Sequence, residues 1–313
     1  MAACAGSKHG TQPLAMAEAL RNSSNTGSKE RNRRGEELFL DLEGRGRIRV
    51  VEFKGPKGAP TLLLLHGLGA TGRLNWFAAF PELAKHYHVV AVDHRGHGQG
   101  IRTRWFRLND CADDVIAVAD QLGIDRFIAA GYSMGGPIAK LCWNRHPDRV
   151  RGLVLCATSR YFTPQQFPIL TRAILPGAVV GARLAPKLIR GQIIESMVKT
   201  VPGREAKEFV RREMAGSDPA ALAQATRAVL RFSSRDWVSN ITVPTAVVIT
   251  TRDEIVPTRR QYALAAAIPG AKSFEVHGDH FACAARNSNF VPQLVAACEY
   301  VQAEASKQPS LGA

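Results

Sequence analysis

The stretch Phe127-Ile128-Ala129-Ala130-Gly131-Tyr132-Ser133-Met134-Gly135-Gly136-Pro137-Ile138-Ala139-Lys140-Leu141-Cys142-Trp143 decides the fold. Phe127 to Ala130 is a short apolar run that reads as a buried strand. Gly136 to Trp143 reads as a helix with an apolar face. Between them Gly131-Tyr132-Ser133-Met134-Gly135 is a G-x-S-x-G sequence, in which a sharp turn holds the serine at the end of the strand. Glycine is needed on either side because a side chain there would collide with the tight backbone. Alone, such a pentapeptide arises by accident in roughly one chain in ten of this length, so its surroundings have to carry the reading.

Those surroundings repeat one pattern, an apolar strand followed by a polar or glycine-rich turn. Upstream, Leu62-Leu63-Leu64-Leu65 runs into His66-Gly67-Leu68-Gly69, and Val89-Val90-Ala91-Val92 runs into Asp93-His94-Arg95-Gly96-His97-Gly98. Downstream, Thr245-Ala246-Val247-Val248-Ile249-Thr250 leads to Thr251-Arg252-Asp253-Glu254-Ile255-Val256-Pro257. Phe274-Glu275-Val276 leads to His277-Gly278-Asp279-His280-Phe281. Continuous rather than alternating apolar runs suit parallel strands buried on both faces. Strand and helix signals alternate from Ile48 to Cys156, which predicts a mostly parallel sheet covered by helices on both sides.

Ser133, Asp253 and His280 occur in that chain order, each just after a strand. In this order and context the chain resembles the α/β-hydrolase superfamily, in its branch of small serine esterases and lipases, from about Glu36 to Tyr300. The resemblance implies an α/β-hydrolase fold with Ser133 as nucleophile, His280 as its base and Asp253 as the acid that orients the imidazole. It also implies an oxyanion hole made of backbone N–H groups, one from Met134 after the nucleophile and one from Leu68 after His66-Gly67. Trp76, Phe77 and Tyr132 are candidates for the walls of a substrate pocket. No cofactor and no metal are expected. Glu254 and Asp236 compete with Asp253, His277 competes with His280, and a metal site from Asp93, His94 and His97 is an open alternative.

The remaining sequence sets the organisation. Residues 1–35 carry six Lys/Arg against two Glu, with few large apolar residues, and are expected to be a disordered basic extension. The core is expected over 36–159 and 238–305, with 306–313 as a tail. From Arg160 to Trp237 no strand-like run occurs; six prolines punctuate helical patches such as Ile189 to Val198 and Glu205 to Met214. An insertion at this place resembles the helical cap over the pocket of many family members. Asn75 to His86 reads as one helix, and another is expected from Asn109 or Asp110 to Gly123.

The formal net charge of +14 raises nucleic acid or an anionic membrane as partners, but the excess is spread out and no nucleic-acid motif accompanies it. No apolar stretch approaches a membrane span. The six cysteines lack metal-ligand spacing and read as free thiols in a reducing, cytoplasmic setting. The expected partner is a small-molecule ester, cleaved through an acyl-enzyme; the oligomeric state is not written in the sequence. The resemblance leaves three other activities open: a cofactor-free perhydrolase or haloperoxidase, a carbon–carbon bond hydrolase, and a non-catalytic ligand-binding protein. Ser133 argues against epoxide and halide chemistry, for which members of the superfamily use an aspartate at the same turn.

Overall fold

The apolar runs do become the sheet. In the computed structural model, which describes residues 35–162, 186–199, 203–285 and 288–307, eight strands form one sheet in the order β1-β2-β4-β3-β5-β6-β7-β8. The strands are β1 (Glu36–Leu42), β2 (Gly46–Phe53), β3 (Thr61–Leu65), β4 (His88–Val92), β5 (Phe127–Tyr132), β6 (Val150–Cys156), β7 (Thr245–Thr250) and β8 (Lys272–Val276). β1, β2 and β4 pair antiparallel; every pair from β4 through β3 to β8 is parallel. The register sets Leu65 beside Gly131 and Tyr132 beside Cys156, so β3, β5 and β6 end at a common level. The turns after these strands therefore meet above one edge, where open α/β sheets gather their ligands.

Residues 62 to 65 alternate between two cores, one on each face. Leu63 and Leu65 pack with helices α3 (Leu108–Gln121), α4 (Gly135–Arg145) and α8 (Thr258–Ala265). Leu62 and Leu64 pack with α1 (Gly72–Trp76), α2 (Phe80–Leu83) and α9 (Phe290–Lys307). All four leucines are fully buried; at about 2 kcal/mol each, that one strand contributes on the order of 8 kcal/mol of hydrophobic stabilisation.

Between β6 and β7 the chain makes α5 (Pro186–Lys199), α6 (Arg204–Met214) and α7 (Pro219–Arg231). α7 is capped by Asp218, whose carboxylate accepts from the N–H groups of Ala220 and Ala221. Three sequence expectations need correction. Asn75 to His86 is not one helix but the two short helices α1 and α2, because Pro81 cannot donate to a preceding turn and restarts the helix instead. α3 begins at Leu108, just before the expected caps, after an extended Arg107. The last helix runs to Lys307, two residues into the expected tail. The basic extension up to residue 34, the tail from 308 and residues 163–185 of the insertion lie outside the described residues.

Candidate active site

Ser133 sits at the end of β5 with φ of +51°, a left-handed conformation that costs a residue with a Cβ about 1 kcal/mol or more. The surroundings hold it there. Its N–H donates to Cys156 O (2.9 Å), and its carbonyl accepts from Thr158 Oγ1 (2.8 Å) and Gly136 N (3.0 Å). The two flanking glycines let β5 turn straight into α4: a Cβ on Gly131 would lie 2.2 Å from Gly135 O, and one on Gly135 would lie 2.0 Å from Leu65 O.

The loops after β7 and β8 bring Asp253 and His280 to this serine. His280 Nε2 lies 3.0 Å from Ser133 Oγ and Nδ1 lies 2.7 Å from Asp253 Oδ2. Besides the imidazole, Asp253 accepts from Thr250 Oγ1 (2.7 Å), Gln261 Nε2 (3.1 Å) and the N–H groups of Ile255 (3.0 Å) and Val256 (2.8 Å). Burial works against ionisation of its carboxyl, but hydrogen bonds from His280, Thr250 and Val256 outweigh it and hold the acid below its ordinary range. An ionised Asp253 only accepts, so Nδ1 carries the imidazole proton and Nε2 is left with its lone pair toward the serine hydroxyl. Such a relay can take the serine proton while Oγ attacks, and the carboxylate stabilises the resulting imidazolium.

The loop after β3 completes the arrangement. A Cβ on Gly67 would come 3.4 Å from Ser133 Cβ, so this loop lies directly against the serine. Gly67 N–H donates to Asn75 Oδ1 (3.0 Å) on α1. His66 is fully buried beneath it. Its Nε2 accepts from His94 N (2.9 Å), so Nδ1 carries the proton and donates to Gly67 O (2.7 Å). Burial, against that hydrogen bond and with the charge of Arg49 assisting, pushes the His66 pKa down to about 4. The neutral ring is a brace for the loop. The backbone N–H groups of Leu68 and Met134 donate no hydrogen bond among the described residues, which leaves both available to an external oxygen.

The three aromatic candidates part company. Trp76 is fully buried and packs against Tyr132 and Phe290. Tyr132 donates from its hydroxyl to His280 O (2.8 Å), with its ring edge toward the imidazole. Tyr132 thus backs the histidine from the core, and Trp76 packs behind Tyr132. Phe77 meets Phe209 of α6, where the first helix and the insertion touch. The competitors for the acid and the histidine stay apart: Glu254, Asp236 and His277 are exposed, and the His277 N–H donates to Asn289. His94 and His97 pack against His66 in the core with their rings tilted to it. Among the described residues no group of three His, Cys, Asp or Glu side chains is arranged to hold a metal ion. Sequence reasoning missed Gln261, Thr250 and Asn75, neutral residues whose meaning comes from the loops they tie.

The chain belongs to the alpha/beta hydrolase fold family, whose model matches residues 60–285. Pimeloyl-acyl-carrier protein methyl ester esterase of Neisseria meningitidis serogroup C / serotype 2a is 30% identical over 212 residues, 65% of this chain and 79% of that protein. Among solved structures, a thermophilic esterase from Thermogutta terrifontis superposes with a TM-score of 0.69 at 22% identity, covering 87% of this chain and all (100%) of that one. A bacterial membrane phospholipase A superposes with a TM-score of 0.70 at 24% identity, covering 92% and 93%. The two structures share the fold, and the curated relatives include esterases and other hydrolases.

Proposed function

We propose that this protein is a serine hydrolase that cleaves carboxylic esters of small to medium size through an acyl-enzyme. Ser133 is the nucleophile, His280 the base and then the acid for the leaving alcohol, and Asp253 the group that fixes the imidazole. The N–H groups of Leu68 and Met134 receive the oxyanion, and the insertion 160–237 forms a cap that shapes the acyl pocket. The observation that carries this reading is the hydrogen-bonded run from Ser133 Oγ through His280 to Asp253, at 3.0 and 2.7 Å, with a single consistent tautomer. A relative that acts on a methyl ester supports the ester as the scissile bond.

The experiment is hydrolysis of p-nitrophenyl esters from acetate to palmitate by the wild type and by Ser133→Ala. Turnover is expected to peak at short or medium chains and to fall by at least about 10⁴-fold in the variant. A folded wild type without turnover on any chain length, or a Ser133→Ala enzyme that keeps it, would remove the serine esterase reading.

A further inference from the structure

A buried ion centre joins the insertion to the loop beside Ser133. Arg49, on β2, donates to Asp93 Oδ2 from Nε (2.9 Å), to Glu213 Oε2 from Nη2 (2.5 Å) and to Glu37 Oε1 from Nη1 (3.0 Å). Arg49, Asp93 and Glu213 are all buried, and Glu213 lies on α6, 164 residues from Arg49 in sequence. Both carboxylates are aimed at the start of α1. Glu213 Oε2 accepts from Thr71 Oγ1 (3.0 Å), and Asp93 Oδ1 accepts from Gly72 N (2.9 Å). Thr71 in turn caps α1 by accepting from Leu74 N, and its carbonyl accepts from Asn75 N. Asn75 Oδ1 then holds the Gly67 N–H, one residue before Leu68.

The passage after α6 is fastened to the core as well. Gly98 N donates to Ser217 Oγ (2.9 Å) and Asp218 N to Gly96 O (2.9 Å). A Cβ on Gly216 would lie 2.1 Å from Gly98 O, so the two backbones are in direct contact. Leu74 of α1 packs on Val210 and Met214 of α6. This half of the insertion is fastened to the core by buried hydrogen bonds and packing.

We infer that Glu213 is a positioning residue for the oxyanion loop, acting through Thr71, α1 and Asn75 on the Leu68 N–H. The inference rests on the esterase reading above. A purely structural role for the ion centre would change how much enzyme folds; a positioning role changes how fast each folded site reacts. The N–H that meets the oxyanion stabilises the transition state more than the bound ester, so displacing it lowers kcat.

The test uses the full chain and the variants Glu213→Gln, Thr71→Val and Thr71→Ser. Reactive sites are counted by the p-nitrophenol burst from a p-nitrophenyl phosphonate. kcat per counted site and KM are measured with p-nitrophenyl butyrate, and affinity with a trifluoromethyl ketone, whose adduct carries the oxyanion. Glu213→Gln and Thr71→Val are expected to lose about 10- to 100-fold in kcat per site, with KM within about twofold and ketone affinity weakened in parallel. Thr71→Ser, which keeps the hydroxyl, is expected to stay near the wild type. Removing one partner of a buried ion pair can prevent folding; in that case Thr71→Val decides. Per-site kcat and ketone affinity within twofold of wild type in the variants, with the wild type active, overturn the inference. A wild type without a burst overturns this inference and the esterase reading together.

Discussion

Asp253 collects five hydrogen bonds, and one of them, from His280 Nδ1, decides the protonation of the ring. The other four keep the carboxylate where it can do so. Replacing it by asparagine keeps the shape but adds two donors on one side of the group. An amide NH₂ turned toward the imidazole moves the ring proton to Nε2, where it can no longer accept from Ser133. Asp253→Asn is therefore expected to lower kcat by about 10³- to 10⁴-fold with little change in KM. Steady-state kinetics on the best p-nitrophenyl ester measures this, and a loss smaller than tenfold would mean that the tautomer is set by another group. Gln261 is the neighbour to watch, since its amide nitrogen also donates to Thr250 Oγ1 (2.8 Å) and Val256 O (2.8 Å) and is itself fully buried.

At the scale of elements, the crossing of β3, β5 and α4 allows no atom to spare. Gly135 faces the Leu65 carbonyl, a backbone group in the middle of the sheet, so the 2.0 Å approach of an added Cβ cannot be relieved by a rotamer change. Gly135→Ala is expected to cost about 3 kcal/mol or more, which lowers Tm by roughly 6–12 °C in a chain of this size. Gly191 in α5 supplies the control: a Cβ there meets nothing within 4 Å, and Gly191→Ala is expected to leave Tm unchanged or raise it slightly. Equal melting temperatures for the two variants, followed by circular dichroism, would show that the crossing is looser than this geometry. Such contacts also explain what the sequence could disclose. The apolar strands and the glycine turn are local patterns, and with them Ser133, Asp253 and His280 were legible. β2 was legible from Ile48 on, but β1, and with it the hairpin, went unread although Leu38, Leu40 and Leu42 alternate ahead of Gly44, because the exposed Phe39 between Leu38 and Leu40 masks the period. Asp93 stood out in the sequence only beside His94 and His97, and nothing local marked Glu213 and Arg49 as its partners, since the three ions meet only after the whole sheet and α6 have packed.

For the molecule as a whole, acid is the direction of greatest weakness. His66, His94 and His97 are fully buried and in contact, with ring centroids 4.4 and 5.1 Å from His66. Burial comes first in depressing all three, and their mutual repulsion adds to it for His94 and His97; His66 is brought to about 4, His97 to about 3, and His94 well below its ordinary 6.5. The sign follows from linkage. Above pH 6.5 these rings are neutral in both folded and unfolded chains and give no slope. Between 6.5 and about 4 the unfolded chain binds protons that the native state refuses, so stability falls as pH falls. Each ring contributes roughly 1.4 kcal/mol per pH unit inside its window, and three together about 4. The formal charge of +14 near neutrality grows further in acid and adds self-repulsion in the same direction. The three rings together remove about 6 kcal/mol between pH 6.5 and 5, out of a total stability of about 5–15 kcal/mol, so stability is expected to fall by roughly that much by pH 5. Urea titrations at half-unit steps from pH 7.5 to 4.5 measure the slope. His97→Gln, which leaves an amide in place of a ring that resists protonation, is expected to reduce it by about one proton. A flat stability down to pH 5 would show that at least two of the three rings accept protons inside the folded protein.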